Sequence, residues 1–438
     1  MSNATRFHTL SVKVHRYLGL LLAIFLILIA GTGSIIAFYD DLERSFNARM
    51  RVVTPQAGGW TIHDALAIRE KLEAQDPRSH LFSLQFPQKA DESLFSRVMP
   101  AINPDSGEPY AIDYDEVFAN PYTGERLGQR IIGEATLQSS GLFSFIYYLH
   151  YALILPLGLG TLLMGSLGLA WALESMVGFY LTLPAKVKPA KTGRKPRSFV
   201  RRWSTSWKIS AGAHGARRML DIHRASGLWL WPLLLIFAVS GFALNLGGPY
   251  AGFVSRFVDY VHFQEKPPRD PLAQPLVRPP IDWFKAAELG QSYFRQQAKA
   301  QGFTLGKPAS IDYRRDLGLY FFSMHTSRDL LDAQGNPTET NSPATTATIA
   351  IDARDGRFLG LQLPTGQRAG NTMTSWLMAL HVTAIGGRPW QIAVSAFGLL
   401  VVTLSSTGLL LWWRRHNARR PGSRTARSPS GAGSRPAA

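Results

Sequence analysis

The 438-residue sequence contains no cysteine. That excludes disulfides, thiolate-held iron–sulfur clusters, thiol chemistry and covalent haem attachment through C-x-x-C-H. Any cofactor must be held by nitrogen, oxygen or packing. No G-x-G-x-x-G follows a strand and there is no P-loop, so no nucleotide-binding module is visible. "GLGTLLMG" (Gly158–Gly165) is rich in glycine but lies in an apolar helical run, where glycine serves packing. Acidic residues are also sparse, 30 against 47 Lys and Arg, for a net charge of +17.

Charge is missing altogether from four runs: Leu18–Tyr39, Tyr151–Leu173, Leu228–Leu246 and Gln391–Trp413, of 22, 23, 19 and 23 residues. A helix needs about 20 such residues to cross the hydrocarbon core of a bilayer. Continuous apolar runs exclude the alternating pattern of a membrane barrel. The chain therefore reads as an α-helical membrane protein with four transmembrane helices. A cleaved signal peptide also begins with an apolar run, but the length of the first run and its internal copy, described below, argue against one here.

The basic residues are clustered. Residues 1–17 carry +3, 183–224 carry +11 and 412–438 carry +7, leaving −4 for the rest. Basic flanks of membrane spans stay inside the cell, so both termini and the 184–222 loop are expected inside. The excess is a topology signal and gives no reason to invoke nucleic acid. The expected order is 1–17 inside, 18–39 first span, 40–142 outside, 143–183 interfacial segment and second span, 184–222 basic loop. It continues with 223–246 third span, 247–370 outside, 371–413 interfacial segment and fourth span, and 414–438 as a disordered basic tail. "KPPRDPLAQPLVRPP" (Lys266–Pro280) reads as an extended linker.

The chain is written twice. "KVHRYLGL" near the start matches "DIHRASGL" at 221–228, with His-Arg followed by Gly-Leu. "VFANPYTGERLG" (Val117–Gly128) matches "IAIDARDGRFLG" (Ile349–Gly360), two short strands around a glycine turn. Upstream of each lies a helical pattern, Thr61–Gln75 and Asp282–Ala300, with Thr61 or Asp64 as cap of the first. "FIYYLHYALILPLGLG" (Phe145–Gly160) matches "SWLMALHVTAIGGRPW" (Ser375–Trp390), sharing Leu-His. The expected architecture is two similar halves, each a helix, an outer α+β unit and a second helix.

Four histidines hold matched places: His15 and His223 at the inner mouths of the first and third spans, His150 and His381 at the outer approaches to the second and fourth. A pseudo-two-fold axis brings like positions together, so each pair can share one ligand. Two imidazoles from facing helices suit the axial positions of a b-type haem. Gly19 and Gly227 lie one turn beyond their histidines, where a side chain would strike a porphyrin. Gly33 and Gly241 lie 18 residues on, on the same helical face. Arg16 and Arg224 are placed for propionates. Each residue alone fits a plainer role: interfacial histidine, positive-inside arginine, packing glycine. The joint pattern is what points to haem.

The HR-x-x-GL entries, the glycine-containing spans and the two "ytGe.lG"-type hairpins resemble the PepSY-associated transmembrane family, over nearly the whole chain apart from the tail. That family includes iron-regulated inner-membrane proteins and ferric-siderophore reductases. The resemblance implies a bacterial inner-membrane protein with both termini inside and two PepSY-like periplasmic domains. It implies two non-covalent b haems held by His15, His223, His150 and His381, and electron delivery to periplasmic ferric siderophore. The loop and tail hold no recognisable reductase module, so electrons would come from the quinol pool or a cytoplasmic reductase.

Tyr147, Tyr148, Trp376, Tyr320 and Phe321 are candidates for docking a bulky iron chelate. His325 reads as a solvent-facing strand residue; His63, His80 and His262 read as surface residues; His214 and His416 lie in basic segments. Glu174 is the one carboxylate within a span, with a proton or quinol role or pairing with the basic loop as alternatives. The rival function is a haem-free membrane scaffold, sensor or transport accessory whose histidines are merely interfacial.

Overall fold

A computed structural model of the chain describes residues 3–136, 138–185, 197–263, 265–330 and 345–417. Much of the basic loop (186–196) and most of the tail (418–438) lie outside the described residues. The chain runs through α1 (Asn3–Ile36), α2 (Tyr39–Phe46), α3 (Ala48–Arg51), α4 (Ile62–Gln75), β1 (Ser79–Gln85), β2 (Leu94–Pro100), β3 (Glu116–Ala119) and β4 (Arg126–Arg130). Next come α5 (Ser139–Ala152), α6 (Leu157–Thr182), α7 (Phe199–Trp203), α8 (Gly215–Asn245), α9 (Gly247–Val254) and α10 (Trp283–Gln301). The remainder is β5 (Leu305–Arg314), β6 (Leu319–Thr326), β7 (Ala347–Asp352), β8 (Phe358–Gln362), α11 (Ala369–His381) and α12 (Gly387–Asn417).

Helices α1, α6, α8 and α12 are each long and apolar enough to cross a bilayer. They form a closed ring in the order α1, α6, α8, α12, with neighbours antiparallel. Large apolar side chains such as Leu21 and Ile24 on α1, Leu162 and Leu173 on α6, and Leu399 on α12 point out of the ring. Lipid is the solvent that makes such a surface favourable. Glycine permits the closest approaches. A Cβ at Gly168 would lie 2.7 Å from the backbone nitrogen of Phe242 on α8, and one at Gly398 would lie 2.7 Å from the carbonyl of Ala30 on α1.

All eight strands form one antiparallel sheet, ordered β4-β3-β2-β1-β5-β6-β7-β8. Two separate outer sheets were expected from the sequence; the structure joins them through β1 and β5, where Ser83, Leu84 and Gln85 pair with Asp312, Ile311 and Ser310. The hairpin glycines take the positive φ their turns require, 69° at Gly124 and 77° at Gly356. One face is covered by α4 and α10, whose Leu66, Leu72, Ala286 and Phe294 meet Leu84, Ile311, Phe322 and Ile349. Thr61 and Asp64 together form a capping box on α4, and Asp282 caps α10. Arg69 stacks on Trp283 at 3.9 Å, binding the two helices together.

The other face looks toward the helix ring. There a cross-strand row runs Arg130, Glu116, Arg97, Ser83, Asp312 and Phe321. Arg130 donates to Glu116 at 2.7 Å, to Glu43 of α2 at 2.8 Å and to the carbonyl of Ser140 on α5 at 3.0 Å. This buried cluster pins the sheet to the segments that carry the site below it.

Strand alternation corrects two expectations. Tyr320, proposed for docking, shares the helix-covered face with Phe322; it is fully buried and its hydroxyl donates to the carbonyl of Ile281. His325, expected to face solvent, is buried, with Nδ1 2.8 Å from Asp329. Burial pushes the Asp329 carboxyl up, against the pull of the imidazole.

Two histidine pairs as the candidate functional site

The site begins with two breaks in the chain. Between α5 and α6, Leu153 and Ile154 adopt φ of 53° and 59°; between α11 and α12, Thr383 adopts 55°. These are left-handed conformations that residues other than glycine rarely take, least of all β-branched ones such as Ile154 and Thr383. Each break follows a histidine, His150 or His381, at the end of a short helix capping the sheet side of the ring. His15 and His223 lie toward the opposite ends of α1 and α8, on the side of the basic residues.

The structure brings the four histidines together as the sequence pattern pairs them. The rings of His150 and His381 are 6.4 Å apart between centroids and inclined at 68°. Those of His15 and His223 are 6.2 Å apart and inclined at 61°.

Every imidazole is oriented through Nδ1. His150 Nδ1 is 3.0 Å from the Ile29 carbonyl and 3.2 Å from Thr32 Oγ1. His381 Nδ1 is 2.6 Å from Ser240 Oγ. His223 Nδ1 is 3.2 Å from the Leu404 carbonyl and 3.3 Å from Thr407 Oγ1. His15 Nδ1 lies against the Glu174 carboxylate. Among the described residues no hydrogen-bond partner reaches Nε2 of any of the four. An acceptor at Nδ1 places the proton there and leaves Nε2 as a free donor atom for a metal.

Every ring is also seated over a glycine of a neighbouring span. A Cβ on Gly33 would lie 2.9 Å from Cε1 of His150, on Gly241 4.0 Å from that of His381, and on Gly178 and Gly408 3.4 Å from those of His15 and His223.

The spacing has a chemical meaning. Two imidazoles on opposite sides of a first-row metal ion, with nitrogens about 2.0–2.1 Å from it and about 1.1 Å from their ring centres, have centroids roughly 6.3 Å apart. Both pairs match. Among the described residues no cluster of three or more His, Asp or Glu side chains could hold a metal ion alone. Each pair by itself offers two imidazoles.

The remaining expected residues are placed as follows. Gly19 faces the Glu174 carboxylate, 3.2 Å from where its Cβ would be, and Gly227 faces Leu404 at 3.9 Å. Arg16 is exposed, while Arg224 donates to the Thr205 carbonyl and to Asp221. Glu174 touches His15; of its two alternatives, pairing with the basic loop falls largely on residues 186–196, outside the described residues. Tyr147 packs between Tyr39 and Tyr151, and Tyr148 donates to the Leu155 carbonyl. Trp376 is exposed, and Phe321 is half-buried beside Phe263 on the ring-facing side of the sheet. His63 is exposed, and half-buried His80 and His262 lie against Glu73 and Glu265.

Sequence reading did not single out Thr32, Ser240 and Thr407, or the seats Gly178 and Gly408. The signal for the seats was present: they follow His150 by 28 residues and His381 by 27.

The family model described as the PepSY-associated TM region matches residues 12–415, nearly the whole chain. No curated protein matches the chain.

Proposed function

The chain belongs to the PepSY-associated TM region family, and from that premise we propose that it is a two-haem b-type electron conduit across a bacterial inner membrane. It receives electrons from a quinol or cytoplasmic reductase and delivers them to ferric siderophore in the periplasm, where Fe(III) gains one electron and leaves as Fe(II). Positive-inside asymmetry supports an orientation with the termini and the His15–His223 pair at the cytoplasmic face, and the sheet and the His150–His381 pair at the periplasmic face. The repeated helix–sheet–helix order makes two similar halves, each contributing a PepSY-like unit to the shared sheet.

One observation carries this reading: two histidine pairs, at opposite ends of the ring, with centroid separations of 6.2 and 6.4 Å and free Nε2 atoms. Haem, when bound, supplies one-electron chemistry at an iron whose potential is set by its axial ligands and their surroundings. The chain's own residues do the rest. His15 and His223 hold one group and His150 and His381 the other. The oxygen acceptors at Nδ1 fix each ring's orientation, and the apolar ring of helices excludes water. Trp376, exposed on α11 five residues before His381, offers aromatic surface to an arriving chelate. Hard oxygen ligands prefer the more charged ferric ion, so reduction loosens the chelate.

Purified protein from haem-supplied cells should show a Soret band and about two haems per chain, fully extractable by acid–acetone because cysteine is absent. A ratio near zero would sink the conduit. With the haem pre-reduced in proteoliposomes, a ferric hydroxamate should reoxidise it and its gallium analogue should not. Equal rates with both would mean a different acceptor.

A further inference from the structure

The two halves can be superposed in sequence through the seats of the cytoplasmic pair, Gly178 under His15 and Gly408 under His223. Four positions before each seat stand Glu174 and Leu404; one position before stand Val177 and Thr407. In the second half, the Leu404 carbonyl and the Thr407 hydroxyl face His223. In the first half the hydroxyl is gone, replaced by Val177, and a carboxylate has appeared where leucine stood. Gly19 and Gly227 follow the exchange: one makes room for the Glu174 carboxylate and the other faces Leu404.

The periplasmic pair shows no such exchange. Thr32 and Ser240, each immediately before its glycine seat, both present a hydroxyl to Nδ1. Three of the four imidazoles thus meet neutral oxygen and one meets a carboxylate. Glu174 is 7 % exposed; its Oε1 is ion-paired with His15 Nδ1, and among the described residues neither carboxylate oxygen nor that nitrogen has a hydrogen-bond partner. A membrane-buried carboxylate is expensive, and its presence marks a functional site by default.

Resting on the two-haem reading, we infer that Glu174 is a positioning residue that makes the cytoplasmic histidine pair the lower-potential of the two centres. A carboxylate at Nδ1 draws the imidazole proton toward itself and raises the electron-donating strength of Nε2. Its negative charge, in a medium of low dielectric constant, also favours the more positive oxidised metal. Both effects lower the reduction potential of the centre bound by His15. The periplasmic pair has neither. Electrons entering from the cytoplasmic side then run downhill to the periplasmic side, and the direction is built into one contact.

The test is a spectroelectrochemical titration of the purified holoprotein, with haem stoichiometry measured first. Wild type should show two resolved one-electron transitions, and His15→Ala should delete the lower. In Glu174→Gln the lower transition should rise by about a tenfold change in the reduced-to-oxidised ratio at fixed poise, about 59 mV for one electron. The upper transition should stay in place. The double variant Glu174→Leu/Val177→Thr rebuilds the arrangement that already holds His223, which guards against simple loss of the site. It should bring the two transitions toward coincidence. Haem-replete Glu174→Gln with an unmoved lower transition would overturn the inference, as would deletion of the upper transition by His15→Ala. Absence of haem from the wild type would overturn the conduit reading itself.

Discussion

The two histidine pairs, called periplasmic (His150–His381) and cytoplasmic (His15–His223) after the orientation proposed above, differ in opposite ways. The periplasmic pair is chemically even: a hydroxyl faces Nδ1 on both sides. It is sterically uneven, since a Cβ on its two glycine seats would stand 2.9 and 4.0 Å from the rings they support. The cytoplasmic pair is sterically even, since a Cβ on either seat would stand 3.4 Å from its ring, and chemically uneven, with Glu174 on one ring only. Yet the ring separations agree within 0.2 Å, at 6.4 and 6.2 Å. Backbone placement sets the spacing, and local contacts are free to vary around it. A repeated scaffold can therefore keep its ligand geometry while one half changes the electronics of a ring and the other tightens its seat.

The largest effect should come from the ligands themselves. His15→Ala or His223→Ala should remove the cytoplasmic haem, and His150→Ala or His381→Ala the periplasmic one, each halving the Soret absorbance. The spectra of the two classes should add to that of the wild type. If His15→Ala and His150→Ala lost the same absorbance, the pairing on which the comparison stands would be broken.

A smaller effect separates the seats. Interiors packed to this density respond to a single methyl. Gly33→Ala puts that methyl 2.9 Å from His150 and must displace the ring, whereas Gly241→Ala meets His381 only at 4.0 Å. Retention of the periplasmic haem should fall sharply in the first and stay near wild type in the second. Gly178→Ala and Gly408→Ala should lie between and resemble each other in retention of the cytoplasmic haem. Gly227→Ala, facing Leu404, serves as the control. Equal retention in Gly33→Ala and Gly241→Ala would remove the steric half of the comparison.

The glycines show what the sequence could convey. The spans were legible because lipid demands long uncharged runs, and the hairpins and helix caps because they need particular residues: Gly124, Gly356, Thr61 and Asp282. The histidine pairs were legible because duplication copies position. What stayed hidden depends on packing between distant segments. Gly19 follows His15 by one turn, and its sequence neighbourhood does not reveal that Glu174, 155 residues later, fills the space beside it. The joining of β1 to β5 rests on three residue pairs with no turn or motif to announce it. Tyr320 and Phe321 read alike as exposed aromatics because which strand face is covered is decided by α4 and α10.

The smallest effect tests whether the periplasmic pair is as even as its hydroxyls suggest. His150 keeps the Ile29 carbonyl at 3.0 Å if Thr32 is lost, so Thr32→Val leaves its Nδ1 satisfied. His381 has no such reserve: Ser240 Oγ at 2.6 Å is the Nδ1 partner given by the described residues. Ser240→Ala therefore strands a polar nitrogen in a place without water, which costs about 1–3 kcal/mol. That Oγ also bonds the Ile236 carbonyl of its own helix, at 2.7 Å, but this contact does nothing for the ring. Haem should dissociate from the periplasmic site several-fold faster in Ser240→Ala than in wild type, measured by transfer to a haem-scavenging apoprotein. Thr32→Val should change the rate by less than about twofold, in keeping with the small net worth of one replaceable hydrogen bond. Ser240→Thr, which keeps the hydroxyl, should restore the wild-type rate. Equal rates in Ser240→Ala and Thr32→Val would mean that both rings are held by packing on their seats and that the hydroxyls only accompany them.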